Sequence, residues 1–243
     1  MNPTSNFQFT ILVPVYNESE CLPKLIGALS AYLTMSSVST CVLFVDDGST
    51  DGGLDLIKDA CAKNKCFYYI SFDKNRGKSA ALRAGFRTCE SPLVGYMDAD
   101  LQTVPEDFEL LLPRANVHAL VSGIRVKRKD TWLYRIQSRI GNSFRRWMTG
   151  DPATDTGCPL KIFQTPYAKQ IPMFTGMHRF LCALVLLQDG ATYWETPVRH
   201  FDRVAGTSKY NLWNRLGASL TDCFGFRWMS KRYINYKVKS GNL

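Results

Sequence analysis

Short runs of apolar, β-branched and aromatic residues alternate with longer amphipathic stretches through the first half of the chain. FTILVPV (9–15), CVLFVDD (41–47), FYYISF (67–72) and LVGYMDAD (93–100) are the apolar runs, and about twenty residues of helix-compatible sequence separate successive runs. This rhythm predicts βαβα units and a mostly parallel sheet. Each run ends in polar residues: Tyr16-Asn17-Glu18, Asp46-Asp47-Gly48, Asp73, and Asp98-Ala99-Asp100. In open parallel sheets the ligand crevice lies beyond the carboxyl ends of the strands, so these four groups are predicted to converge on one site. ALVSGI (119–124), PLKIFQ (159–164) and ATYWETPVR (191–199) extend the sheet.

Two later stretches have helical periodicity. Between Trp132 and Met148, Ile136, Ile140, Phe144 and Met148 recur at i+4 with Arg135, Arg139 and Arg146 on adjacent faces. Leu212, Leu216, Leu220, Phe224 and Trp228 repeat that spacing ahead of Lys231-Arg232. Both stripes suit packing on the sheet, and the second, rich in Trp, Phe and Arg, also suits a membrane interface. The expected organisation is a single α/β catalytic domain over 1–210, followed by a basic amphipathic helix and tail over 211–243.

Charge sharpens this division. The chain of 243 residues carries a formal +9, held in two blocks. Residues 124–150 hold eight Lys/Arg against Asp130, and residues 199–243 hold nine against Asp202 and Asp222, +7 in each case, leaving −5 elsewhere. An acidic first part joined to a basic second part points to an anionic partner. The eight cysteines are scattered without a C-x-x-C pair, and read as reduced thiols, mostly in the core, in a reducing compartment. The N-terminus lacks the basic n-region of a signal peptide, and no run reaches the roughly 18 apolar residues of a spanning helix. The expected location is cytoplasmic, peripheral on the cytoplasmic face of the membrane.

The densest chemical signal is Asp98-Ala99-Asp100-Leu101-Gln102, after an apolar strand and before Pro105, a first-turn helix proline. A bare D-x-D also serves as a solvated acidic turn, but two carboxylates and an amide oxygen at a strand end are hard ligands suited to Mg²⁺ or Mn²⁺ on a diphosphate. Such a metal stabilises a departing nucleotide diphosphate. In Asp46-Asp47-Gly48-Ser49-Thr50-Asp51-Gly52, Gly48 permits a tight turn and Ser49 or Thr50 can cap a helix beginning near Asp51. The doubled carboxylate exceeds what a turn needs and can accept hydrogen bonds from a base or ribose. Asn75-Arg76-Gly77-Lys78 precedes a small-residue helix, a cradle for a diphosphate.

Together these residues resemble the family-2 glycosyltransferases of GT-A fold, and within them the dolichyl- and polyprenyl-phosphate sugar synthases. The similarity runs through 13–18, 46–52, 75–81, 98–102, 155–161, 177–180 and 203–210, nearly the whole chain. It implies a Rossmann-like sheet flanked by helices and inverting transfer from a GDP- or UDP-sugar to a polyprenyl or dolichyl phosphate. Pro14, Tyr16, Glu18, Asp46 and Asp47 look like the nucleoside set, Lys78 and Asp98 like donor contacts, and Asp100 and Gln102 like the metal ligands. Arg125, Arg139, Arg203, Ser208 and Lys209 look like phosphate contacts, and Asp98, Asp100 and Arg125 carry the reaction. The partners implied are a nucleotide sugar, a polyprenyl phosphate lipid, and an anionic membrane or small membrane protein.

A hydroxyl acceptor needs a general base. A phosphate with a second pKa near 6 is already a nucleophile at neutral pH, and arginines to place it suffice. The Q-x-x-R-W pattern of processive synthases is missing at Arg146-Trp147 and Arg227-Trp228. Asp155 lies where hydroxyl-acceptor relatives keep a base, and is otherwise a turn residue, so transfer to a sugar hydroxyl of a cell-envelope glycan or glycolipid stands as the alternative. His118, His178 and His200 are too dispersed for a metal site; His178 either lines the acceptor pocket or is structural. The basic charge with interleaved Trp, Tyr and Arg also suits a nucleic-acid partner, but none is expected, since strand-end carboxylates repel a phosphate backbone unless they hold a metal.

Overall fold

Residues 2–126, 143–201 and 212–235 are described by the computed structural model, with the backbone alone for 212–220. The elements run in chain order: β1 Phe9–Val15, α1 Leu22–Met35, β2 Thr40–Asp46, α2 Gly53–Lys63, β3 Phe67–Ser71, α3 Lys78–Thr88 and β4 Leu93–Tyr96. There follow α4 Phe108–Ala115, β5 Leu120–Arg125, α5 at 143–149, β6 Lys161–Gln164, α6 Thr165–Gln170, α7 Leu181–Val185, β7 Tyr193–Val198 and α8 Leu212–Ser230.

Among the described residues, seven strands form one sheet in the order β3-β2-β1-β4-β6-β5-β7. The pairs β1–β2, β1–β4, β2–β3 and β5–β7 are parallel. β6 runs antiparallel to both β4 and β5, so the parallel expectation holds for β3-β2-β1-β4 and breaks at one inserted strand. The α/β class and helix-flanked sheet read from the sequence are borne out.

Side-chain alternation sorts the strands onto two cores. On β1, Ile11, Val13 and Val15 face α1, α2 and α4, while Leu12 faces α3; on β2, Val42 and Phe44 oppose Leu43 and Val45. A sheet covered on both faces is therefore apolar at nearly every position, which is why its strands read as continuous apolar runs. Six of the eight cysteines are buried and all eight are free thiols. Burial pushes Cys41 and Cys89 up to about 12, so they behave as inert core residues.

The last helix departs from its stripe. Phe224 and Trp228 are 63% exposed, whereas Cys223 and Phe226 are buried and Met229 packs on the core. The described part of the i+4 row therefore faces outward. In α5, Met148 is buried and Phe144 packs on the same core, as the packing reading expects; Ile136, Ile140 and Arg139 lie outside the described residues.

Gly95 shows how tightly the central sheet is filled. It pairs with Ile11, and a Cβ there would come within 2.5 Å of the Phe9 ring and 2.9 Å of Phe108. Those two rings already meet edge to face at 5.2 Å. Gly95→Ala is expected to lower stability by about 1–3 kcal/mol through overpacking, measurable as a lower urea midpoint at unchanged slope.

Candidate active site

Turn chemistry assembles the four strand ends. Asn17, at φ 53°, donates its N–H to Ser49 Oγ at 3.0 Å, and its side chain accepts from Thr50 N at 2.8 Å. Asp51 accepts from Ser19 N and Gly53 N at 2.8 and 2.9 Å. Ser49 thus joins two loops instead of capping a helix, and α2 begins at Gly53 behind Gly52, which makes no side-chain cap. Pro14 is half-buried on β1 and Tyr16 stands at the mouth, 38% exposed. Glu18 accepts, through its carbonyl, the first amides of α1.

Asp46 and Asp47 are both buried, and neither points simply at solvent. Asp46 accepts from Ser71 Oγ at 2.7 Å and Ser49 N at 3.2 Å. Asp47 accepts from Asn75 Nδ2, Arg76 N and Gly77 N at 2.9, 2.6 and 2.8 Å. Burial raises the Asp47 carboxyl, the two amides pull it back, and Asp46 pushes it up again; the balance is a raised pKa. Two of the amides in the 75–78 segment, those of Arg76 and Gly77, thus serve Asp47. A carboxylate oxygen accepts about two hydrogen bonds, so Oδ2 is filled and Oδ1 keeps a lone pair. Gly48 makes this possible, since at φ 72° a Cβ would lie 2.5–2.8 Å from the Lys74–Asn75 backbone.

Lys78, the first residue of α3, pairs with Asp98 at 2.6 Å, and Tyr96 donates to the same Asp98 oxygen at 2.8 Å. Burial acts to raise Asp98, but Lys78 and the Tyr96 hydroxyl outweigh it and hold the carboxyl below its usual value. Asp100 is 8% exposed and follows in a turn whose Leu101 sits at φ 56°. A branched residue in the left-handed region is unusual and marks a constrained site. The Gln102 backbone N–H donates to Asp100 Oδ1 at 3.2 Å, so the turn folds back on the Asp100 carboxylate. One carboxylate and one amide oxygen fit a hard cation that completes its shell with diphosphate oxygens. No three His, Cys, Asp or Glu side chains converge on a metal-sized space among the described residues.

The chain beyond β7 closes on this turn. Phe201 N donates to the Gln102 carbonyl at 3.0 Å and His200 Nδ1 lies 3.2 Å from the same oxygen, so Nδ1 carries the proton. Arg199 grips the buried Asp107 through its backbone amide and Nε, each at 2.7 Å. No motif marks His200, and only the fold places it beside Gln102.

Arg125, at the end of β5, is bound by Asp155 through its amide at 3.1 Å, Nε at 2.8 Å and Nη2 at 2.7 Å. Burial raises Asp155, yet the guanidinium outweighs it and leaves the carboxyl lowered. Gly157 lets the guanidinium lie there, since a Cβ would stand 2.8 Å from Nη2. Two further residues support the pair, of which Glu195 lies in none of the motifs. Glu195 holds Thr154 N and Oγ1 at 2.8 and 2.6 Å, and buried Lys161 binds the Cys158 carbonyl. Arg139, Arg203, Ser208 and Lys209 lie outside the described residues.

The glycosyl transferase family 2 model matches residues 10–170. The chain belongs to that family. An undecaprenyl-phosphate 4-deoxy-4-formamido-L-arabinose transferase of Aeromonas hydrophila is 32% identical over 87% of this chain and 65% of its own length. A dodecaprenyl-phosphate galacturonate synthase of Rhizobium johnstonii is 30% identical over 99% of this chain and 71% of its own. The chain thus spans about two thirds of these relatives, 65% and 71% of their lengths. Among solved structures, glucosyl-3-phosphoglycerate synthase from Mycobacterium tuberculosis, in complex with Mn²⁺, UDP-glucose and phosphoglyceric acid, superposes with a TM-score of 0.66 at 13% identity, covering 94% and 81% of the two chains. A Pyrobaculum calidifontis mannosyltransferase with GDP-Man and Mn²⁺ gives 0.63 at 19% identity, covering 93% and 65%. These likenesses establish the GT-A fold.

His178 supplies a pH test. Burial, then Lys78 and Arg179, lower it from 6.5 to about 3. A folded pKa below the unfolded one gives stability that is present above pH 6.5 and lost as pH falls toward the folded value. Wild type should lose up to about 1.4 kcal/mol per pH unit through this group between roughly pH 6 and 4. His178→Gln should flatten that slope in urea titrations.

Proposed function

We propose that this chain transfers a sugar, with inversion, from a nucleotide diphosphate sugar to a polyprenyl phosphate. The observation that carries the choice of acceptor is the Arg125–Asp155 pair. Both Asp155 oxygens are engaged by one guanidinium and its proton affinity is lowered, so it is a poor base for a hydroxyl. A phosphate monoester needs no base. Arg125 still has Nη1 and one Nη2 hydrogen to offer, since a guanidinium carries five N–H donors. The names of the two relatives, both polyprenyl-phosphate sugar enzymes, support the same class of acceptor.

In this reading Tyr16, Glu18 and Asp47 hold the nucleoside, and Lys78 with Asp98 meets the sugar and diphosphate. Asp100 and Gln102 would hold Mg²⁺ or Mn²⁺, which when bound neutralises charge on the leaving diphosphate. Arg125, with Arg139, Arg203, Ser208 and Lys209, orients the lipid phosphate for in-line attack on the anomeric carbon, and the sugar–phosphate oxygen bond breaks as the new one forms. Inversion follows from this single displacement.

The lipid partner calls for a docking face. Among the described residues no helix is long and apolar enough to cross a membrane. Trp147, Phe224, Trp228 and Ile234 are 63–79% exposed. Arg227 stacks over Trp147 at 5.6 Å and Arg232 over Trp228 at 4.6 Å. Exposed aromatics interleaved with cations match the headgroup boundary of an anionic leaflet. We assign this face, with the rest of the basic 211–243 segment, to the cytoplasmic surface of the membrane, where free thiols remain reduced.

A panel of UDP- and GDP-sugars with polyprenyl phosphate in detergent and Mn²⁺ or Mg²⁺ should yield an acid-labile lipid phosphate-sugar. Asp100→Ala should reduce kcat by at least about a hundred-fold, the scale of losing charge stabilisation on a leaving group. Turnover with free glycans alone as acceptors would instead establish the hydroxyl reading. For the membrane face, Trp147→Ala/Trp228→Ala should partition onto anionic vesicles at least about ten-fold more weakly, given about 1.5–3 kcal/mol per buried large side chain. Equal sedimentation of both proteins would remove that face from the membrane.

A further inference from the structure

The 3₁₀ turn Met177–Phe180 is gripped from two directions. On the α8 side, Arg179 Nη1 donates to Asp222 Oδ2 at 2.9 Å. The Phe180 and Phe226 rings stack at 5.9 Å and 12°. Gly176, at φ 87°, lies so near Asp222 that a Cβ would stand 2.5 Å from its Oδ2. On the α3 side, His178 donates its backbone N–H to Ser79 Oγ at 3.2 Å, and its Nδ1 meets the same hydroxyl at 2.9 Å. Ser79 directly follows Lys78, the partner of Asp98. Residue 178 thus reaches α3 while 179 and 180 reach α8.

We infer that Arg179 and Asp222 are positioning residues: through this turn α8 sets where His178 presents its imidazole beside Lys78 and Asp98, and His178 contacts the sugar of the nucleotide donor. The inference rests on the proposed donor role of Lys78 and Asp98. His178 Nδ1 is committed to Ser79, and Nε2 makes no hydrogen bond among the described residues. An uncharged imidazole at this place adds a directional hydrogen bond to a sugar hydroxyl without disturbing the neighbouring ion pair. Nothing in the bridge is local in sequence: Ser79 and His178 are 99 residues apart, Arg179 and Asp222 43. The helix that fixes the donor side is also the one whose opposite face carries Phe224 and Trp228.

The test is a double-mutant cycle on the full chain with Asp222→Asn, which keeps shape and removes charge, and His178→Ala. In the ligand-free protein, Asp222→Asn should move the His178 imidazole NMR signals and leave those of His118 and His200 in place. With the donor identified by the panel, Asp222→Asn should raise its KM about three- to ten-fold, the scale of one hydrogen bond between uncharged groups. Acceptor KM and vesicle binding should stay within about two-fold of wild type. The double variant should be no worse for donor than His178→Ala alone, because both act through one side chain. Unmoved His178 signals in Asp222→Asn, or additive losses in the double variant, overturn the inference. A wild type that uses no nucleotide sugar defeats the functional reading separately, while the ligand-free spectra still decide whether Asp222 positions His178.

Discussion

Two adjacent buried carboxylates at the end of β2 are the constraint around which this site is arranged. Asp46 and Asp47 repel each other and are largely removed from water, so each must be given donors. Ser49 and Ser71 serve Asp46; Asn75, Arg76 and Gly77 serve Asp47. Hydrogen bonds to a charged group contribute about 1.5–3 kcal/mol each, enough to fold the 73–77 loop back across the strand end. That loop delivers Lys78 to Asp98, and Gly48 is the residue that lets the two backbones approach. Loss of either acid would disorganise the 73–78 segment well beyond the contact it makes.

The same logic of internal neutralisation extends across the sheet. Lys78–Asp98, Arg125–Asp155 and Arg199–Asp107 each place a cation and an anion within 2.7 Å. The described site is built from pairs already oriented before any ligand arrives. Substrate charges then meet dipoles that do not have to reorganise, the condition under which electrostatic stabilisation of a transition state is largest. The left-handed Leu101 belongs to this preorganisation: its strain is offset by packing of its side chain on the second core and holds Asp100 and Gln102 together.

α3 and α8 meet in the 176–180 turn, and β5 and β7 in the turn before β6. There Glu195 on β7 anchors Thr154, Thr154 leads into Asp155, and Asp155 orients Arg125. β6 must enter antiparallel between β4 and β5 for this turn to reach the carboxyl end of β5.

Much of this was legible in the chain. The continuous apolar runs, the polar residues closing each of them and the order of motifs determined the sheet, its helices and which groups stand at the strand ends. Apolar patterning records burial, and burial is a property each residue carries locally. Direction and partnership are not local. A four-residue β6 reads the same whether parallel or antiparallel, and the i+4 row of α8 looks like a core stripe although Cys223 and Phe226 are the residues turned inward. That Asp155 is held by Arg125, that Ser49 joins loops instead of capping α2, and that His178 sits on Ser79 depend on contacts spanning 30 to 99 residues. The sequence therefore determined which groups are present at the strand ends. Only tertiary structure decided which are already engaged, because a hydrogen-bond donor is assigned by the neighbours that folding brings to it.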